Sequence, residues 1–569
     1  MPAMPMRPLA RTVLLALCCL PPACWRVAGS GADLVFRNGG IYTVDAQRPW
    51  AQSVAVDDGR IVYVGSDAGV APFVGPRTEV VDLTGKMLLP GLQDSHVHPP
   101  LGMILEPLCR LDDATTREEI LEMVRACASE SSEKWVLGFG WRSSIFLPEI
   151  SPRRTTLDRV VPDRPAVLIA KDMHTFWLNS RALQAVGITK ETPTPPGGEI
   201  LRDPGTGEPT GALRDFAVEP VVNAIPRPGL VASLRRLRAV IHEMNRYGYT
   251  SFMEARLEDR TTAWGYRMLE VLGLLDARVS MAVLFDPRKG TSQIEEIRRI
   301  RDDFSTPRID ARIVKIFVDG GTAVRSAASA PYAGGGPSAK PYIDAAELSR
   351  IVSELDREGF AAHLHTLGDL ATRTALDAIE GARRGNPSGG PRHTITHLVY
   401  PNPEDIGRFR ELDVIANISP YWAFPNEWSA SFPPILGPER ATWMYPFRAL
   451  ADRDVLLTAG SDYPFTPLDP FLAIEVGMTR RDPENAAAMR MIPDQALALE
   501  DLLAAYTINA AYQLHREDLT GSIEVGKRGD LVVLDRNLFD TPPDEISETR
   551  VLMTLLEGEV VHRAESWEG

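Results

Sequence analysis

Near both ends of the chain, apolar residues come in short alternating runs broken by glycine. Asp33-Leu-Val-Phe-Arg-Asn-Gly-Gly-Ile-Tyr-Thr-Val44 predicts two strands around Gly39-Gly40. Residues 53–64 predict a hairpin turning at Asp58-Gly59, a pair that accepts the positive φ angles of a two-residue turn. The far end repeats the style at 529–535 and at 551–562, with Glu557-Gly558 at the second turn. A lone hairpin is marginal in water, so residues 30–86 and 520–569 are expected to complete one small β-sandwich domain together.

Between the ends the period changes. Apolar residues at helical spacing predict helices over 116–128, 230–247, 291–302, 345–358, 370–384 and 499–514. Continuous apolar runs predict buried strands over 166–170, 250–254, 279–284, 312–318, 361–364, 394–397, 414–417 and 455–459. Strands alternating with helices predict an α/β body with a parallel sheet over 87–519. The Pro- and Gly-rich stretches at 191–212 and 321–343 read as loops or hairpin inserts.

Composition narrows the class. Hydrophobic residues make up 44% and charged residues 24% of 569, a globular balance that excludes a disordered chain. Against 61 Lys and Arg stand 76 Asp and Glu, a net charge of −15. No long basic run breaks that acidity, so nucleic acid is not an expected partner and a small-molecule substrate is. Arg7 and Arg11 precede the apolar run 12–20, and small residues follow at 27–30. That order predicts a secretory signal over 1–29, too short to span a bilayer, so the mature chain should be exported and carry no stable transmembrane span. A lipoprotein site at Cys24 is a poorer fit, because Pro21 and Pro22 precede it. Of five cysteines only Cys109 and Cys127 lie beyond the signal, and spacing does not say whether they pair. Nothing in the sequence assigns an oligomeric state.

The chemistry sits in histidines. In Leu92-Gln-Asp-Ser-His-Val-His-Pro99, His96 and His98 are two apart, so on a strand both rings face one side and can reach one cation. His363-Leu-His365 and Arg392-His-Thr-Ile-Thr-His397 each end a predicted strand. We take His365 and His397 as the ligands. His363 and His393 are then interior histidines serving neighbours, although alternation puts 363 and 365 on one face. Asp462 follows the apolar strand ending at Ala459. Lys315 lies within the apolar run Val314-Lys-Ile-Phe-Val318, where burial beside cations would depress its pKa. A neutral amine there could capture carbon dioxide as a metal-bridging carbamate, an N6-carboxylated lysine. The competing reading is a lysine that reaches solvent or binds a substrate carboxylate.

Spacing fits a TIM-like (β/α)8 barrel, whose strand–helix unit averages about 31 residues. His365 and His397 are 32 residues apart, one unit, and Asp462 follows 65 later, two units. These sites then fall on strands five, six and eight. From His98 to Lys315 the chain runs 217 residues. That far exceeds the three units between strands one and four, so a long insertion after strand 1 is expected at about 138–225.

These motifs resemble the amidohydrolase superfamily, and within it the YtcJ-like (amidohydrolase-3) branch. The likeness is carried by Leu89-Pro-Gly-Leu-Gln-Asp-Ser-His-Val-His-Pro99, Gly138-Phe-Gly-Trp141, His174-Thr-Phe-Trp-Leu-Asn-Ser180, Val314-Lys-Ile-Phe-Val-Asp-Gly320, His365-Thr-Leu-Gly-Asp369, Gly460-Ser-Asp462 and Gly521-Ser-Ile-Glu-Val-Gly-Lys-Arg-Gly-Asp530. The resemblance implies a metal-dependent hydrolase of amide or related C–N bonds, with two divalent ions, zinc by preference, on His96, His98, Lys315, His365, His397 and Asp462. Leu398 and Thr366 depart from what stands after these histidines in other members, which bears on substrate choice.

Two cations would lower the pKa of a bound water toward about 7 and polarise the scissile carbonyl. Asp462 would act as general base and then acid. His174 would reach over the mouth to a carbonyl oxygen, or instead pack beside Trp177; Trp141 and Phe176 would line a substrate wall or serve packing. The expected activity is hydrolysis of an N-acyl or N-formyl bond. An ester, lactone or carbamate on the same centre is the alternative within hydrolases, and a non-catalytic binding protein on the same barrel is the alternative outside them. Gly138-Phe-Gly140 lacks the third glycine of a dinucleotide fingerprint, and Gly460-Ser461 lacks the glycine flank of a nucleophile elbow, which removes those two chemistries.

Overall fold

The computed structural model describes residues 31–569 except 106–107, 147–151, 172, 174, 196–197, 227, 334, 336, 387–389, 486, 566 and 568–569. The signal segment expected at 1–29, Cys24 and His174 lie outside the described residues. The centre of the molecule is an eight-stranded, all-parallel sheet. Its strands are β1 (Leu92–Val97), β2 (Tyr249–Leu257), β3 (Arg278–Leu284), β4 (Ile309–Phe317), β5 (Ala361–Thr366), β6 (Thr394–His397), β7 (Ile415–Ile418) and β8 (Leu457–Ala459).

The sheet rolls up, leaving β1 and β8 as its two edges. The seam between them is held by individual bonds. Ser95 Oγ donates to Ala459 O (2.7 Å), Ser461 N to Asp94 Oδ1 (3.1 Å), Asp462 N to His96 O (2.8 Å) and His98 N to Tyr463 O (2.9 Å). The helices that cover the barrel follow their sequence pattern. Ala345–Arg357 buries Leu348, Ile351, Val352 and Leu355, one stripe at helical spacing, and Asp344 caps it through the Ala346 N–H. Burying each such aliphatic side chain contributes roughly 1.5–3 kcal/mol.

The predicted helix over 499–514 is two helices, Leu499–Ala505 and Ile508–Gln513. Thr507 breaks it at φ −131°, ψ −99°, with its hydroxyl turned back onto Leu503 O. The break swings the second helix beneath the barrel. There Leu514 joins Met253, Ala255, Ala282, Ile313 and Ala361 as the apolar floor of the interior.

Segments from both ends of the chain form two further sheets. One pairs Leu34–Arg37 with Ser53–Asp57 and Glu79–Asp82; the other runs Glu559–Arg563, Val551–Leu556, Leu531–Leu534, Met87–Pro90, Gly40–Tyr42 and Trp50–Ala51. Phe36, Val54 and Val56 of the first face Leu88, Val533 and Met553 of the second in one core. The two strands around Gly39-Gly40 therefore belong to different sheets. Met87–Pro90, which the sequence reading placed in the barrel, pairs antiparallel with Leu531–Leu534 instead. The chain crosses into the barrel at Gly91, where a Cβ would meet Thr250 Oγ1 at 2.4 Å. Buried Arg278, at the start of β3, ties the two bodies together through Asp530 (2.9 Å) and Glu557 (2.8 Å).

Between β1 and β2 stands a third body on a six-stranded sheet, ordered Gly198–Arg202, Pro209–Asp215, Thr175–Leu178, Ala166–Ala170, Val136–Trp141 and Cys109–Arg110. It opens near residue 109, well before the 138 read from the sequence, because its first strand is only two residues long. A Cys109–Cys127 disulfide joins that strand to helix Arg117–Glu130, which Thr116 and Glu119 start with a reciprocal cap. Among the described residues no helix is long and apolar enough to cross a membrane.

Candidate functional site

The carboxyl ends of the barrel strands converge on a buried polar cluster. Strand β1 carries His96 to its end and delivers His98 just beyond. Gly460 lets the β8 edge pass directly over His96, since a Cβ there would meet His96 Cβ at 2.5 Å and His96 N at 2.7 Å. The approach brings Asp462 Oδ1 to 3.1 Å from His98 Nε2 and 3.5 Å from His96 Nε2. One ligand atom from each of these three buried residues lies within 4.8 Å of the other two. Asp462 holds a left-handed φ of 57°, and His397 and Leu398 hold 74° and 51°. Such geometry at non-glycine residues costs on the order of 1–3 kcal/mol each and concentrates at functional positions.

Strands β4 to β6 bring the remaining groups. Lys315 Nζ is buried 3.3 Å from His96 Nε2. Burial drops its pKa to about 7, with the Arg256 charge adding to the fall and Asp462 opposing it. His365 lies beside His397, ring centroids 4.6 Å apart, and His397 lies 4.7 Å from His96. Burial, then neighbouring positive groups, pushes His96 and His397 well below the usual imidazole range. His98 moves the other way: burial would lower it, but Asp462 and Glu254 win and raise it. Among the described residues His397 Nδ1 is buried without a hydrogen-bond partner, an atom that a cation would satisfy.

The two histidines set aside in the sequence separate here. His393 is fully engaged, with Nε2 on Asp356 (2.9 Å) and Nδ1 accepting from Ala362 N (3.0 Å). It serves packing beneath β5. His363, by contrast, places Nε2 2.9 Å from His96 Nδ1. It touches the cluster directly.

Sequence reasoning passed over several residues. Glu254, near the end of β2, backs His98 at 3.6 Å and accepts from Tyr266 Oη and Arg256 N. An acid at the end of an apolar strand was the signal for it. Asp94 Oδ1 accepts from His96 N and Ser461 N, linking both sides of the seam. Asp319 accepts from Ala327, Leu367 and Gly368 N–H groups and so fastens the 321–343 loop to the end of β5. Trp422 stacks flat on His397 (4.9 Å, 2°), Phe317 leans on His365 (4.9 Å) and Phe465 stands edge-on to His98 (6.1 Å). These three rings form the aromatic collar of the site. Trp141 does not: it is buried, donates Nε1 to Leu168 O and packs on Phe146 and Trp177 in the inserted body. Phe176 is likewise buried there.

Two histidine nitrogens and a carboxylate oxygen, all on buried side chains, suit a divalent cation. Comparison with known proteins gives the family and the fold. The amidohydrolase family profile matches residues 79–562. An N-substituted formamide deformylase of Arthrobacter pascens is 30% identical over 92% of this chain and 97% of its own. Protein LONG AFTER FAR-RED 3 of Arabidopsis thaliana is 30% identical over 94% and 92%, and the putative amidohydrolase YtcJ of Bacillus subtilis 26% over 93% and 99%. Among solved structures, an uncharacterized metal-dependent hydrolase of Pyrococcus horikoshii superposes with a TM-score of 0.72 at 23% identity, over 90% of this chain and 99% of that one. A zinc-bound adenosine deaminase of Xanthomonas campestris shares the fold at a TM-score of 0.54 and 15% identity, over 94% and 93%.

Proposed function

Because this chain belongs to the amidohydrolase family, we propose that it is an exported hydrolase of an amide-like C–N bond of the N-formyl or N-acyl kind. It works with two divalent cations, zinc first among them, on His96, His98, Lys315, His365, His397 and Asp462. The observation that carries the reading is the convergence of His96, His98 and Asp462 at the closing seam of the barrel. What a bound cation supplies is a Lewis acid for the carbonyl and a more acidic water.

The chain's own groups do the rest. Asp462 Oδ1 takes the proton of the attacking water and returns it to the leaving nitrogen. Glu254, behind His98, keeps that ring turned toward Asp462. Lys315 is supported as a carbamate by its burial and lowered pKa. Its neutral Nζ bonds to the carbon of carbon dioxide, one proton leaves, and an anionic carboxylate results. The collar of Trp422, Phe317 and Phe465 excludes water and receives the apolar substituent on nitrogen. His174 is proposed to hold the carbonyl oxygen. The deformylase relative supports the N-formyl choice. Export is supported by the charged and apolar order of residues 7–30 and by the Cys109–Cys127 pairing, since disulfides persist in oxidising compartments.

The test is a panel of matched N-formyl, N-acyl and ester compounds offered to zinc-reconstituted protein, with His96→Ala and Asp462→Asn alongside. The reading expects formyl or acyl amides to be hydrolysed and both variants to lose at least about 10²-fold. Preference for the esters moves the activity to the alternative bond, and unchanged rates in both variants refute the site.

A further inference from the structure

The barrel interior between its apolar floor and the histidine cluster is polar, and its hydrogen-bond directions can be worked out from the bottom up. Gln513, in the helix under the barrel, donates Nε2 to the carbonyl of Ser95 (3.1 Å). A carbonyl can only accept, so Gln513 Oε1 is the atom that faces Thr458, and the Thr458 hydroxyl donates to it. The Ser95 hydroxyl likewise gives its single proton to the carbonyl of Ala459 (2.7 Å). Both hydroxyls have then used their hydrogens. The Asn417 side chain, 2.8 Å from Ser95 Oγ and 3.0 Å from Thr458 Oγ1, must present Nδ2 to both. Its Oδ1 is thereby turned to Thr396, whose hydroxyl donates to it at 2.7 Å.

Thr396 has no second proton. Its oxygen also lies 3.1 Å from His96 Nδ1, and toward that atom it can offer only a lone pair. For that contact to be a hydrogen bond His96 Nδ1 must be the donor, and His363 Nε2, 2.9 Å from the same atom, then faces it as a second acceptor.

We propose that Asn417 is a positioning residue which, through Thr396, fixes the His96 proton on Nδ1 and leaves the Nε2 lone pair facing Asp462. The inference rests on the reading of His96 as a metal ligand, because a lone pair on Nε2 is what ligation needs. All five side chains of the relay, Gln513, Thr458, Ser95, Asn417 and Thr396, are buried, so solvent does not reorient them. The direction of the chain is set by two backbone carbonyls, one on each side of the seam.

Zinc affinity of the full chain is measured by competition with a fluorescent chelator for the wild type, Asn417→Leu, Thr396→Val and the double variant. Asn417→Leu frees the Thr396 proton to be donated to His96 Nδ1, which drives the imidazole proton to Nε2. The zinc Kd should rise on the order of 10- to 100-fold, the usual cost of losing a group that orients a ligand. Thr396→Val removes the threonine but leaves His363 Nε2 to accept from Nδ1, so its loss is smaller. The double variant should return to the Thr396→Val value, binding zinc more tightly than Asn417→Leu alone. A packing role makes the double variant equal to or worse than the worse single one, and that result overturns the proposal, as does an unchanged Kd in Asn417→Leu. Ring 15N shifts of His96 in metal-free wild-type protein decide the matter without any variant. Protonated Nδ1 supports it and protonated Nε2 overturns it. A wild-type chain that takes up no zinc refutes the metal reading, while the same 15N shifts still judge the tautomer.

Discussion

Gly460→Ala isolates the geometry of the seam from the chemistry of the cluster. The new methyl would stand 2.5 Å from His96 Cβ and 2.7 Å from His96 N, whereas ordinary contact begins near 3.4 Å. The strands must part by about 0.9 Å, and they part at the place where His96 and Asp462 meet. No positive φ is involved at this glycine, so the effect is steric rather than torsional. Overpacking of this kind costs roughly 1–3 kcal/mol, which a protein of this size survives folded. A displacement near 1 Å in a catalytic constellation costs on the order of 10²-fold in rate. The assay is kcat/KM of zinc-reconstituted enzyme together with zinc per chain and the melting temperature. Gly385→Ala is the control, since among the described residues a Cβ there meets nothing within 4 Å. We expect Gly460→Ala to melt slightly lower and lose about 10²-fold in kcat/KM, with Gly385→Ala close to wild type. Wild-type kcat/KM and zinc content in Gly460→Ala would show that the seam does not set the site, and the reasoning would fail.

Other predictions are simpler. Replacing Lys315 with Ala should lower zinc per chain, and short carboxylic acids should restore part of the activity; full activity and metal content in the variant would remove the carbamate. The Cys109–Cys127 link spans 18 residues, so its loss in Cys109→Ser should destabilise the inserted body by about 3 kcal/mol, read as a lower melting temperature that reductant no longer shifts. An unchanged melting curve for the wild type under reductant would show no such contribution. Burial would raise the Glu557 carboxyl, but hydrogen bonds and charge from Arg278 and Arg308 hold it from 4.5 down to about 2. A depressed folded pKa contributes stability in full above 4.5 and loses it as pH falls toward 2. Urea midpoints across that window should therefore fall less steeply in Glu557→Gln; equal slopes would discount the ion pair.

The barrel was legible because the 32-residue interval from His365 to His397 matches one strand–helix unit and the 65-residue interval to Asp462 two, which lands them on β5, on β6 and just past β8. The pairing of His96 with His98 followed from strand alternation alone. What stayed hidden depends on contacts between distant segments. Asn417 and Thr396 look like ordinary strand residues until the Ser95 and Thr458 hydroxyls are seen to be spent. His363 and His393 read alike in sequence, yet one meets His96 and the other meets Asp356, because each answers to a neighbour on another strand. The start of the inserted body was misplaced because a two-residue edge strand has no periodicity to detect. Met87–Pro90 is apolar on both faces, as a barrel strand would be, and only its partner Leu531–Leu534 assigns it to the sandwich. Trp422 lies beyond β7, in a stretch whose approach to His397 no local pattern announces.

The most direct test of the account is anomalous X-ray diffraction from crystals of zinc-reconstituted protein, collected at the zinc edge. We expect anomalous density about 2.0–2.2 Å from His96 Nε2, His98 Nε2 and an Asp462 carboxylate oxygen. Zinc bound elsewhere on the chain, with these three side chains making no contact to it, would contradict the central claim.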